Sequence, residues 1–236
     1  MRKPKQIGAR LGIRPSAVLF DLDGTLVDTL DDVTLAINDA LACKGLPAIG
    51  RDVVCANLGA GGMAMANAAV TCACANAPAD LISEVHALYM EKYRGGLAVC
   101  TRLYPGAADI LVNLSAGGLA TALCTNKVTE LTMPLLHALG LDSAFDVIVC
   151  GDTLQRKKPS PDQIWYVLDR LRIGSSSAVM VGDTAIDREA AEAASVAFIH
   201  ARYGYGGQLL PASLCIESLN ELEEIALGSA ALSLHA

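Results

Sequence analysis

The sequence predicts an α/β fold: a doubly wound parallel sheet with an all-helical segment inserted after its first strand. Three observations carry this reading. Short apolar runs recur at 17–20, 119–124, 145–150, 178–182 and 195–199, several of them ending in small polar or acidic residues. Stretches with apolar residues at helical spacing separate them, and strands alternating with helices build parallel sheets. Between Asp28 and Cys100 the spacing is helical throughout, and roughly seventy residues exceed what a single crossover needs.

The first run, Ala17-Val18-Leu19-Phe20, leads directly into Asp21-Leu22-Asp23-Gly24-Thr25. A continuous apolar run of this length reads as a strand covered on both faces. Ligand crevices of open α/β sheets form at the carboxyl ends of such strands. Two acids there are costly to desolvate unless a cation or a reaction uses them. Carboxylates with substrate phosphate suit Mg²⁺, and a carboxylate can also attack phosphorus. A calcium loop fails the count: from Asp21 the glycine comes fourth, and Asp32 stands where a Glu is needed.

The insertion opens with Leu30, Val33, Ala36, Ile37, Ala40 and Leu41, one helix face, ended by Lys44-Gly45. Further helices are expected at 51–58, 63–75 and 79–93, with the turn Asn57-Leu58-Gly59-Ala60-Gly61-Gly62 between two of them. From Thr101 the alternation resumes: helix 107–116, strand 119–124, helix 130–139, strand 145–150 and helix 161–171. Strand 178–182, helix 185–194, strand 195–199, strand 214–216 and helix 218–227 complete it. Pro134 should kink its helix or mark its start.

Polar residues gather at the later strand ends. Thr125 and Asn126 precede a helix start, whose free N–H groups favour an anion. Lys157-Lys158-Pro159-Ser160-Pro161 pairs two ammonium groups with a fixed backbone and Pro at the first helical position. Gly182-Asp183 closes another strand, with Asp187 one turn into the following helix.

Composition narrows the field. The 236 residues carry 53% hydrophobic residues and a net charge of −7, with mean hydropathy +0.40. The apolar runs are too short for a membrane span, and the acidic balance argues against nucleic acid. An anionic substrate stays compatible, since a metal ion, Lys158 and helix N-termini reverse the local field. The basic residues of 1–15 lack the apolar stretch of a signal peptide and read as a tail, as does 228–236. Eight scattered cysteines read as reduced thiols, which points to the cytoplasm.

Asp21-Leu22-Asp23-Gly24-Thr25, then Thr125, Lys158-Pro159 and Gly182-Asp183 with Asp187, resemble the ordered motifs of the haloacid dehalogenase superfamily of aspartate-dependent phosphatases. Cys124-Thr125-Asn126-Lys127, Gly151-Asp152 and Arg202-Tyr203-Gly204-Tyr205-Gly206 look most like its phosphoglycolate phosphatase subfamily. The resemblance implies a Rossmann-like core over 16–28 and 101–227, with 29–100 as a small helical cap domain. It implies Asp21 as nucleophile, Asp23 as general acid and base, and Lys158 as the catalytic cation. Thr125, Asn126, Lys158, Gly24, Thr25, Gly59 and Gly61 are the expected substrate contacts. Mg²⁺ would sit among Asp21, the Asp23 carbonyl and Asp183, with Asp187 orienting Lys158 or a metal-bound water. Arg51, Arg94 and Arg102 are candidate partners for a substrate carboxylate.

The expected partner is a small phosphorylated metabolite, with a homodimer compatible. A dehalogenase has no use for an acid at Asp23. A phosphonate hydrolase needs a cap lysine, and the insertion offers only Lys44 and Lys92. A phosphomutase or an inactive binding homologue would share the same core motifs. The helix ending at Ala193-Ala194-Ser195 lacks the glycine expected after it.

Overall fold

The computed structural model describes residues 15–75, 77–206 and 214–222. The basic tail up to Arg14, the final tail and residues 223–227 of the helix expected at 218–227 therefore lie outside the described residues.

The core is a six-stranded sheet in the order β5-β4-β1-β6-β7-β8, parallel at every pairing. Its strands are β1 Ala17–Phe20, β4 Ala120–Cys124, β5 Val147–Val149, β6 Ala178–Gly182, β7 Ala197–Ala201 and β8 Cys215–Ile216. β1 is fully buried, and its side chains alternate between two apolar clusters. Val18 and Phe20 join one with Leu114 and Leu136, while Ala17 and Leu19 join the other with Ile164 and Met180. Because β4 and β6 flank β1 on opposite sides, the chain order reverses there and a crevice opens at its carboxyl end.

The insertion forms α1 Leu30–Cys43, α2 Arg51–Asn57, α3 Gly62–Ala73 and α4 Ala79–Gly95. They share a third apolar cluster around Ile37, Leu41, Val54, Met65, Val85 and Tyr93. Core helices are α5 Ala107–Ala116, α6 Thr129–Ala138, α7 Asp162–Leu171 and α8 Ala185–Ala193.

Four details depart from the sequence expectation. A two-stranded antiparallel ribbon, β2 Val27–Asp28 with β3 Arg102–Leu103, joins the chain's entry to and exit from the insertion. Strands of two residues are too short to show alternation. α6 runs through Pro134, which is exposed. α7 begins at Asp162, with Pro161 preceding it rather than opening it. β7 starts two residues later than expected because Ser195 adopts φ 57°, while Val196 N–H bonds back to Ala191 O at 2.9 Å. That closure is one glycine makes most cheaply, and serine takes the left-handed position here.

Candidate active site

Ladder hydrogen bonds set the first groups in place. Asp21 N–H donates to Val181 O at 3.0 Å and Thr125 N–H to Val149 O at 3.0 Å, so both side chains leave the ends of neighbouring strands. Lys158 reaches the same point from the loop before α7, after which the Lys158–Pro159 peptide bond is cis. Its buried Nζ donates to Asp21 Oδ1 at 2.7 Å and to Asp187 Oδ1 at 2.5 Å. The other Asp187 oxygen accepts from Thr184 N–H at 3.0 Å and Thr184 Oγ1 at 2.6 Å, closing the first turn of α8. Asp187 thus holds the Lys158 ammonium with one oxygen and the start of α8 with the other.

Asp183 is buried and held from several sides. Thr25 Oγ1 donates to its Oδ1 at 3.2 Å, and the N–H groups of Tyr205 and Gly206 donate to its Oδ2 at 2.7 and 3.3 Å. Gly24, at φ 89°, and Gly204 pass so close to Asp183 that a Cβ on either would overlap it. Thr25 thus holds this carboxylate and Gly24 makes room for it, and neither residue lines the cavity described below. Asp23 turns elsewhere: Lys127 Nζ donates to both its oxygens at 2.9 and 3.0 Å, and Thr29 Oγ1 to Oδ1 at 2.7 Å.

Asp21, Asp183 and Asp187 each place a carboxylate oxygen within 4.8 Å of the others. Burial raises Asp21 to about 7, opposed by Lys158 and aided by Asp187. Burial, then Asp187 and Asp21, hold Asp183 well above the usual carboxylate range. Burial alone would lower Lys158, yet Asp187 and Asp21 outweigh it and its ammonium is held above its ordinary value. Protein groups alone leave this cluster with excess negative charge. Hard oxygen donors gathered this closely fit a divalent cation such as Mg²⁺. The Asp23 side chain is not in the cluster, so the metal contact expected of this residue would fall to its carbonyl.

The cluster opens onto a cavity of about 530 Å³. Asp21, Asp23, Thr125 and Lys127 line its floor, and Gly59, Gly61, Met63, His86, Met90 and Tyr93 line its roof. The 57–62 turn is fastened down by two core side chains. Asn126 Nδ2 donates to Gly59 O at 2.9 Å, and Lys157 Nζ to Ala60 O at 2.8 Å. Asn126 Nδ2 also donates to Lys158 O at 2.8 Å, so its side-chain amide hydrogens join two loops, while the residue itself lines the cavity. The Thr125 oxygen accepts from Lys127 N–H at 3.1 Å, which leaves the hydroxyl proton to donate.

Other expectations also shift. Arg51 pairs with Asp31, Arg94 with Glu130, and Arg102 bonds backbone carbonyls, and none lines the cavity. Lys44 and Lys92 do not line it either. Among the described residues the lysines that line the cavity are Lys127 and Lys157, and Lys127 also lies 4.7 Å from the Tyr93 ring centroid. Lys127 follows Thr125-Asn126 directly, which is the one signal that could have marked it. All eight cysteines are free, and Cys43, Cys72 and Cys100 are exposed.

Known proteins resemble the chain along most of its length. The pattern of the haloacid dehalogenase-like hydrolase family matches residues 18–201. A phosphoglycolate phosphatase of Chromobacterium violaceum is 38% identical over 211 residues, covering 89% of this chain and 95% of that protein. One of Yersinia pestis is 37% identical, covering 80% of this chain and 81% of the relative. The crystal structure of a predicted phosphoglycolate phosphatase from Haemophilus somnus superposes with TM-score 0.85 at 29% identity, covering 90% of this chain and 98% of that one. CbbY from Rhodobacter sphaeroides, solved in complex with phosphate, gives TM-score 0.73 at 26% identity, covering 88% of this chain and 96% of that one.

Proposed function

The chain belongs to the haloacid dehalogenase-like hydrolase family, and from that premise we propose a Mg²⁺-dependent hydrolase of small phosphomonoesters that works through an aspartyl-phosphate, with 2-phosphoglycolate as substrate. That it is a phosphatase follows from its relatives. The observation that carries the finer reading is the pairing of Asp21 with Lys158 beside Asp183, at the floor of a cavity that also holds Asp23.

In the first half-reaction a carboxylate oxygen of Asp21 attacks phosphorus in line, and the bond from phosphorus to the leaving alkoxide breaks. Asp23 gives that oxygen its proton. In the second, Asp23 takes a proton from water, the water oxygen attacks phosphorus, and inorganic phosphate leaves with Asp21 restored. Lys158 and the Thr125 hydroxyl would hold equatorial phosphoryl oxygens, where charge must be stabilised in the transition state. Asp21, Asp183 and the Asp23 carbonyl would hold Mg²⁺, which supplies charge neutralisation at the phosphoryl group. Asn126 contributes by fastening the 57–62 turn.

We read 16–28 and 101–227 as the catalytic core and 29–100 as a cap that meets the leaving group. Lys127, Lys157 and the backbone of 59–62 are the groups that would face the carboxylate of 2-phosphoglycolate. The free cysteines fit a reducing, cytoplasmic setting. Among the described residues no helix is long and apolar enough to cross a membrane.

Phosphate release should be measured with Mg²⁺ on 2-phosphoglycolate, sugar phosphates, nucleotides and pyrophosphate. The highest kcat/KM is expected on 2-phosphoglycolate. A higher value on another member of the panel would transfer the substrate assignment to it.

A further inference from the structure

Tyr205 does two things at once. Its backbone N–H donates to Asp183 Oδ2 at 2.7 Å. Its side-chain hydroxyl accepts from Thr29 N–H at 2.7 Å and Leu30 N–H at 3.2 Å, and donates to Asp28 Oδ1 at 2.9 Å. Asp28–Leu30 is the point where the chain leaves β2 and enters α1 of the insertion. The N-terminus of α1 has no side-chain hydrogen bond from Thr29, its preceding residue; the tyrosine oxygen serves Thr29 N–H and shares Leu30 N–H with Asp28 Oδ1, which lies 3.3 Å away. Thr29 spends its own hydroxyl on Asp23.

The backbone around Tyr205 has no slack. A Cβ on Gly204 would overlap Gly24 O and Asp183, and one on Gly206 would overlap Asp183 O. Cys55 Sγ, from α2, lies 3.9 Å from Tyr205 O. A shift of the insertion about Asp28–Leu30 must therefore either break three hydrogen bonds to the hydroxyl or pull on the peptide that holds Asp183.

We propose that Tyr205 is a positioning residue that couples the seating of the helical insertion to the carboxylate of Asp183. This rests on the proposed Mg²⁺ site. Coupling between two sites is reciprocal: if a seated insertion favours the cation, the cation must favour a seated insertion. Mg²⁺ alone should then quieten the hinge with no substrate present.

Amide hydrogen exchange of peptides spanning 28–33 reads this directly, with Mg²⁺ binding followed in parallel by calorimetry. In the unaltered protein, saturating Mg²⁺ should slow exchange there by about tenfold, within the usual range of such couplings. Tyr205→Phe keeps the backbone N–H but removes the hydroxyl, so it should still bind Mg²⁺ yet lose the protection. Tyr203→Phe is the control, since the Tyr203 hydroxyl donates to Thr25 O rather than to the hinge, and it should keep the protection. Should Tyr205→Phe fail to fold, Asp28→Ala removes an acceptor of the same hydroxyl and should weaken the protection in the same direction. Mg²⁺ binding without hinge protection in the unaltered protein, or equal protection in Tyr205→Phe, overturns the coupling. No Mg²⁺ binding to the unaltered protein overturns the metal site itself, and the coupling with it.

Discussion

The floor and the roof of the cavity are built on opposite principles. On the floor every charged group has a fixed partner: Lys158 holds Asp21 and Asp187, Thr25 and two N–H groups hold Asp183, and Lys127 holds Asp23. The roof brings Met63, Met65, Met90 and Tyr89, backbone carbonyls, and an imidazole, His86, that burial and then Lys157 push down from its ordinary value. The floor is pre-organised for one charge pattern, whereas methionine-rich walls adapt to shape. If chemistry belongs to the floor and selection to the roof, as proposed above, substitutions in each should fail in different ways.

The largest expected effect lies on the floor. Asp21→Asn keeps the shape but removes the nucleophile, so turnover should fall by roughly 10⁴-fold or more on every substrate. Removing a buried charge should leave folding intact. Phosphate release within about tenfold of the parent, a change of only about 1.4 kcal/mol, would place the nucleophile elsewhere. Chelation by EDTA should abolish turnover to a similar extent, with Mg²⁺ restoring it. Full activity after exhaustive chelation would end the metal reading.

Next comes Lys158→Gln. Breaking a buried ion pair from one side leaves an uncompensated charge and costs about 3–5 kcal/mol. Here the two carboxylates bonded to Lys158 lose their counterion together, while a neighbour, Asp183, is close by. Urea unfolding should show that loss at neutral pH, and activity should fall by about 10²–10³-fold, as when one transition-state donor is removed. A variant as stable as its parent would mean that the carboxylates are neutralised by something other than Lys158.

The sign of a pH effect follows from the same cluster. Without a cation, Asp21 is raised to about 7 and Asp183 is raised well above its ordinary 3.8, chiefly by burial. The folded state then binds more protons than the unfolded chain, from the ordinary carboxylate range up to about pH 7. Stability of the metal-free protein should therefore fall as pH rises through that window, by on the order of 1 kcal/mol per pH unit and group. Mg²⁺ favours the ionised forms and should flatten the slope. Thermal unfolding of EDTA-treated protein between pH 5.5 and 7.5 tests this, and stability that rises with pH would contradict the burial of these charges.

The sequence made the floor's residues legible and left its wiring hidden. β1, β4 and β6 announce themselves as apolar runs, and Asp21, Thr125 and Asp183 follow them directly because strand ends are where an α/β chain turns. Pairings across the chain leave no local trace. Lys127 meets Asp23 over 104 positions and Tyr205 meets Asp28 over 177, distances at which no periodicity speaks. Asn126 shows the same limit: its residue type suggested an anion contact, yet its amide is used on two carbonyls brought near by folding. The helices of the insertion were readable from spacing alone, while the two-residue ribbon that anchors them was not.

The smallest expected effect lies on the roof and is the sharpest test of the division. Gly61 sits at φ 94°, which side chains rarely adopt, and a Cβ there would overlap Lys157 Nζ. Gly61→Val should therefore strain the turn and push Lys157 off Ala60 O, which unfastens the roof without touching Asp21, Asp23 or Lys158. A two-carbon acid offers little apolar area, so its recognition depends on polar groups held close, and KM for 2-phosphoglycolate should rise by about tenfold or more, roughly 1.4 kcal/mol of binding. p-Nitrophenyl phosphate, whose aryl group can rest on the methionine walls, should lose much less. Equal losses on the two substrates would mean that the turn supports the floor as well, and the separation of selection from chemistry would have to be given up.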